Sequence, residues 1–125
     1  MSEHRVAVRW ADIDGNGHVS HVAFLTYLEE GRDACLAAHG IARDEYLVGR
    51  CTMSWLREIT PSVSSVVVRC AVVSVGRTSL TTREALLGED GTVFAEAEFG
   101  VVVWDKATRR PRPVTDAERA SMGLA

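Results

Sequence analysis

The chain predicts an α+β fold: one antiparallel five-stranded sheet curled around one long helix. Residues 21–39 carry apolar side chains at three- and four-residue spacing over roughly five turns, and no other stretch is so strongly helical. Most of Cys51 to Asp105 alternates with a period of two and is interrupted only by turn residues. At 125 residues the chain has enough material for one core and not for two, so residues 1–125 are expected to form a single domain.

The elements follow in order. His4 to Ala11 alternates as a first strand, with Val6 and Val8 on one face and Arg5 and Arg9 on the other. Ser20 is a good N-cap, and Gly40 a good left-handed stop, for a helix over 21–39. Its predicted buried stripe is Phe24, Tyr27, Leu28, Gly31, Ala34, Cys35 and Ala38, with Thr26, Glu29, Glu30 and Asp33 facing water. The stripe narrows from aromatics to Gly and Ala, which lets a sheet approach the helix closely. At ~1.5 Å per residue the helix would be ~28 Å long.

A further helical turn is expected over Ala42 to Leu47, then a strand from Cys51 to Thr60 that Pro61 stops. Val63 to Val75, Thr78 to Leu87 and Thr92 to Asp105 form an antiparallel meander, joined at Gly76-Arg77 and at Glu89-Asp90-Gly91. Thr115-Asp116-Ala117-Glu118 is a capping box for a short, peripheral C-terminal helix. No internal repeat, low-complexity tract or interdomain linker interrupts this order.

Composition excludes several classes of function. Net charge is −3 with no basic tail or stripe, so nucleic acid has no electrostatic footprint here. No apolar run approaches the roughly 18 residues needed to span a bilayer, and the N-terminus lacks a signal-peptide core, so a cytoplasmic protein without a membrane partner is expected. Cys35, Cys51 and Cys70 form no C-x-x-C pair and sit in apolar periodic segments; they are expected as reduced, buried thiols.

Chemistry concentrates between Asp12 and Arg32, where a short acidic loop runs directly into the helix. Asp12, Asp14, Asn16 and Gly17 match the first half of a calcium-binding EF-hand loop. Its twelfth position, which requires a bidentate Glu, is Ala23, and the segment ahead of it alternates like a strand. A calcium module is therefore the weaker alternative, and no spacing among Asp12, Asp14, His18 and His21 matches a metal motif.

The same stretch, with Trp10, Asp12, Asp14, Gly17, Val19, Glu29 and Arg32, resembles the signature of hotdog-fold thioesterases of the 4-hydroxybenzoyl-CoA thioesterase type. Asn16 and His18 resemble the Asp-x-Asn-x-His element of plant-type acyl-carrier-protein thioesterases. The resemblance implies the hotdog arrangement and hydrolysis of an acyl-CoA or acyl-carrier-protein thioester, with no cofactor. It assigns the catalytic carboxylate to Asp14, as general base or nucleophile, and leaves Asp12 to anchor the turn. Asn16 would orient water and His18 would assist. The backbone N–H of His21, at the helix N-terminus, would polarise the carbonyl, and the His21 side chain would line the site.

Val75 to Leu80 also resembles the family segment where a basic residue and hydroxyls lie near the CoA nucleotide, which implies Arg77, Thr78 and Ser79 as substrate-binding residues. Arg109, Arg110 and Arg112 are further candidates for phosphate, and Arg57 is assigned to substrate binding or to contact with a partner subunit. Exposed sheet edges and an exposed apolar face point to a homodimer or homotetramer. A non-catalytic acyl-CoA-binding hotdog domain is the alternative from another functional class, and a hotdog dehydratase fits the loop less well.

Overall fold

The computed structural model of the protein describes residues 1–124. Strand β1 (Ser2–Ala7) is followed by a 3-10 turn (Trp10–Asp12) and helix α1 (His21–Ala37). Strands β2 (Tyr46–Trp55), β3 (Ser65–Val75), β4 (Ser79–Leu87), β5 (Val93–Asp105) and the two-residue β6 (Arg110–Pro111) precede helix α2 (Asp116–Met122). The main strands pair antiparallel in the order β1-β3-β4-β5-β2, with β6 added to β5. The five-stranded sheet on one long helix expected from the sequence is present. What periodicity did not disclose is that β2 crosses to the far edge, beside β5.

Helix α1 packs across β1, β3 and β4. Its buried residues are Ala23, Phe24, Tyr27, Leu28, Gly31, Arg32, Cys35 and Leu36. Of these, Ala23, Phe24, Tyr27, Leu28 and Leu36 share one core with Val66, Val68, Leu80, Leu86, Ala97 and Phe99. Gly31 is the point of closest approach: a Cβ built there would lie 2.2 Å from Cγ1 of Val68. The predicted narrowing of the stripe thus has its reason at this residue. Ala38 is exposed instead of buried, because the helix has ended at Ala37 and Gly40 takes φ +86°.

Arg32 was not expected inside. Its guanidinium donates to both carboxylate oxygens of Glu84, Nε to Oε2 at 2.8 Å and Nη2 to Oε1 at 3.1 Å. Thr82 adds a hydroxyl donor to Oε2 at 2.6 Å, and the guanidinium carbon lies 3.8 Å from the centre of the Phe99 ring. Alternation on β4 turns Leu80, Thr82, Glu84 and Leu86 inward, so Glu84 enters the core in phase with its apolar neighbours.

Several boundaries differ from expectation for identifiable reasons. The first strand ends at Ala7, because Arg9 and Asp12 hydrogen bond to each other and wind Trp10–Asp12 into a turn. Ala42 to Leu47 closes only one turn, through Glu45 N–H to Ala42 O, before β2 begins at Tyr46. That strand ends at Trp55, well short of Thr60, since Leu56 and Arg57 both turn their N–H groups onto Phe94 O and the chain leaves the ladder. Cys51 is exposed, because β2 is an open edge strand. The convex face is also less apolar than expected: it carries Arg69 paired with Glu3 and Arg83 with Glu98. Exposed apolar groups cluster instead on and beside the β2 edge, at Leu47, Val48, Trp55 and Leu56.

Candidate active site

The loop between the 3-10 turn and α1 is built to hold two carboxylates in different states. Asp12 is buried and accepts from Arg9 N–H at 3.1 Å, from Arg9 Nη2 at 2.7 Å and from the Tyr27 hydroxyl at 2.6 Å. Burial pushes its pKa up, but the hydrogen bonds from Arg9 and Tyr27 outweigh that effect and hold it below the ordinary carboxylate value. Burial, and then Asp12 itself, push the Tyr27 phenol well above its usual value. Asp12 therefore ties the loop to α1, with both carboxylate oxygens engaged by protein donors. Together with the strand that precedes it and Ala23 inside α1, this removes the basis for an EF-hand.

Asp14 is held by far fewer contacts. Its side chain is 29% exposed, and its Oδ1 accepts one hydrogen bond, from Asn16 N–H at 2.9 Å. Asp14 N–H donates to His18 O, Gly17 N–H donates to Asp14 O, and Gly17 adopts φ +79°, so the four-residue excursion projects the carboxylate outward. The His18 ring stands beside it, with Nδ1 3.9 Å from Asp14 Oδ2 and 3.4 Å from Val19 O. Ser20 caps α1 by accepting from Val22 N–H, which leaves the His21 N–H, first in the helix, without an acceptor among the described residues.

These groups line one cleft of about 350 Å³, formed by Asp14, Asn16, His18, Val19, His21 and Phe24 on one side and Trp55 to Glu58 on the other. Asp14, Asn16, His18, His21 and Arg57 are thus brought together. Sequence reading missed Trp55, Leu56 and Glu58. Trp55 donates Nε1–H to His21 O at 3.2 Å and meets the His21 ring edge-on, centroids 5.9 Å apart. Glu58 lies 4.0 Å from His18 Nε2. The bond from Val19 N–H to Ile59 O, with Ile59 fully buried, pins the 55–60 segment against the loop. The run Trp-Leu-Arg-Glu ahead of Pro61 was the available signal, but nothing local placed it next to Asp14.

Arg77, Thr78 and Ser79 are not part of this cleft. Ser79 pairs with Val102 and Trp55 with Ala95, so the two regions lie seven residues apart along β5, ~23 Å at ~3.3 Å per residue. Arg112 is committed to Glu118, at 2.8 Å, and to Glu45; Arg109, at φ +57°, lies over Trp104. The expected capping box is present: Thr115 caps α2, Glu118 returns to its N–H, and Arg119 ties the helix to Gly76 O.

A family model of the thioesterase-like superfamily matches residues 8–121, from the end of β1 through nearly all of α2. The chain belongs to that superfamily. Among solved structures it resembles a thioesterase from Thermus thermophilus solved with coenzyme A and zinc, at 28% identity and TM-score 0.86 over 96% of this chain and 90% of that one. It also resembles a Pseudomonas aeruginosa protein assigned as a thioesterase, at 27% identity and TM-score 0.84 over 95% of each chain. A DHNA-CoA thioesterase from Staphylococcus aureus, at 17% identity and TM-score 0.77 over 90% of this chain and 79% of that one, shares the fold. No curated protein matches the chain by sequence. Membership of the thioesterase-like superfamily establishes the hotdog architecture and makes thioester hydrolysis the general chemistry that this superfamily member's cleft is read against.

Among the described residues, no helix is long and apolar enough to cross a membrane, and no three His, Cys, Asp or Glu side chains converge as a metal site.

Proposed function

We propose that the protein is an acyl-CoA thioesterase in which Asp14 activates water, or attacks the acyl carbon directly, while the His21 N–H receives the developing oxyanion. The observation that carries this reading is the convergence, in one cleft, of a lightly engaged carboxylate and an unpartnered helix-leading N–H. Attack on a thioester moves negative charge onto the carbonyl oxygen, and a fixed N–H at the positive end of a 17-residue helix opposes that charge without reorganising. Asn16 and the His18 ring border the same space and are placed to hold the attacking water. Trp55, Leu56 and Phe24 supply an apolar wall for the acyl group. The whole described chain serves as one domain in this reading.

Arg57 lines the same cleft as the reacting groups. In a single chain Arg77, Thr78 and Ser79 lie ~23 Å along the sheet from Trp55, and their proposed role is at the nucleotide, within one chain or across a subunit boundary. The open β2 edge, with Leu47, Val48 and Trp55 exposed, supports a homodimer or homotetramer. A free coenzyme and an acyl-carrier protein present the same thioester, and the CoA-bound neighbour favours the former.

The test is a panel of acyl-CoA esters of graded length and aromaticity, followed by release of the free thiol, with a substrate-free blank because Cys51 is exposed and reacts with thiol dyes. Turnover of at least one ester, lost in Asp14→Asn, is expected. Binding of acyl-CoA without turnover of any ester would instead establish a non-catalytic acyl-CoA-binding domain.

A further inference from the structure

Beside the candidate active site lies a larger hollow, of about 710 Å³, that the proposed hydrolysis leaves unused. Phe94, which is buried, and Val63 give it apolar surface, while Ser64 and Ser65 at the start of β3 and the β4–β5 hairpin from Gly88 to Thr92 give it a polar rim. Arg57 and Glu58 border both this hollow and the cleft, so the two spaces adjoin at that pair. Thr92 and Phe94 precede Ala95, the partner of Trp55, and the hollow therefore lies on the side of Trp55 away from this chain's Arg77 turn.

The charged groups of the hollow differ in what they already hold. Glu89 accepts from Arg5 at 2.9 Å and from the Ser65 hydroxyl at 2.8 Å. Asp90 accepts from Thr92 N–H at 3.0 Å within the hairpin. Glu58 stands toward the cleft, 4.0 Å from His18 Nε2. Arg57 is, among the described residues, the one arginine or lysine that lines either space. Its backbone is fixed, N–H to Phe94 O at 3.2 Å, yet its guanidinium makes no ion pair among the described residues, whereas most of the chain's arginines hold a carboxylate. A planar guanidinium with all its donors free, standing where two hollows meet, is suited to a carboxylate.

On the basis of thioester hydrolysis in the adjoining cleft, we propose that the hollow receives the far end of the acyl group and that Arg57 binds a carboxylate there. The preferred substrates are then CoA thioesters of dicarboxylic acids. In hydrolysis the C–S bond breaks, water adds its oxygen to the acyl carbon and a proton to the sulfur, and the products are the free dicarboxylic acid and the thiol. The distal carboxylate takes no part in that step and acts only in binding. A fatty acyl group of equal length gains nothing from Arg57.

The experiment compares adipoyl- and pimeloyl-CoA with hexanoyl- and heptanoyl-CoA, pairs matched in carbon number, by steady-state thiol release and by calorimetric binding to Asp14→Asn protein. Wild type should favour the carboxyacyl member of each pair in kcat/KM, mainly through KM, and Arg57→Gln should reduce that preference by about 10- to 10²-fold, the worth of hydrogen bonding to a charged group. Arg57→Lys should keep part of the preference, and Arg43→Gln, which removes an exposed arginine elsewhere on the surface, should leave it intact. The same preference in binding, with no ester turned over by wild type, would refute hydrolysis while sustaining the carboxylate site. No preference within the pairs, in turnover or in binding, would overturn the proposal. An equal loss on both members in Arg57→Gln would also overturn it, placing Arg57 at the carrier instead of the acyl end.

Discussion

Asp14 and Asp12 sit two residues apart in one loop, and replacing each by Asn should separate rate from stability. Asp14 is engaged by one backbone N–H, a bond that an Asn side-chain oxygen also accepts, so Asp14→Asn removes charge and basicity while leaving the turn intact. A positioned acid-base group contributes about 10²- to 10⁴-fold, equivalent to roughly 3–5 kcal/mol of barrier at ~1.4 kcal/mol per decade. Turnover should fall by that factor with Tm unchanged. Asp12→Asn reverses the pattern. The buried carboxylate takes two donors from Arg9 and one from Tyr27 in their shortest contacts, and a hydrogen bond to a charged group is worth about 1.5–3 kcal/mol. Because Asn retains part of this set, a loss of about 2–3 kcal/mol is expected on urea unfolding, with turnover of the folded fraction nearly preserved. The measurements are steady-state thiol release and urea denaturation on both variants. Full turnover in Asp14→Asn, with a verified ester and loss of activity in His18→Ala, would refute the assignment of the carboxylate and move it to His18.

The remaining expectations rest on packing, charge and register. Glu84→Gln leaves Arg32 buried without its counter-charge and should cost about 3–5 kcal/mol in urea unfolding, with Arg32→Met/Glu84→Leu recovering much of the loss. Gly31→Ala gains about 1 kcal/mol of helix propensity, but its methyl would sit 2.2 Å from Val68. The net should be a loss approaching about 3 kcal/mol, which a Val68→Ala background relieves. Asp12 has its folded pKa depressed, so its contribution is full above the unfolded carboxylate value and is lost as pH falls through the folded one; below about pH 4 the acid slope of stability should be shallower in Asp12→Asn than in wild type. Arg77→Ala should raise KM for an acyl-CoA much more than it lowers kcat, because the nucleotide that Arg77 is proposed to hold is remote from the reacting carbonyl. An unchanged KM together with a monomer in sedimentation would remove Arg77 from the site.

Much of this molecule is local and was legible in the chain. The period of α1, its Ser20 cap, the meander turns and the Thr115 capping box are set by residues within a few positions of one another, and each appears where those residues stand. The loop chemistry was likewise local, since the turn that frees Asp14 is closed by Asn16, Gly17 and His18. Other features depend on contacts between residues distant in sequence, and periodicity contains no such information. Arg32 is buried only because Glu84, fifty-two positions away, arrives beside it in strand phase. Trp55 and Glu58 joined the cleft only because Ile59 buries its side chain and receives Val19 N–H. Arg77 to Ser79 share a sheet with Asp14's cleft and yet lie a strand's length away, because β5 carries its two ends to opposite ends of the fold. Which residues are acids, caps and turns was decided by the sequence alone; which of them meet was decided by strand order and register, where a single backbone pairing moves a side chain by many ångströms.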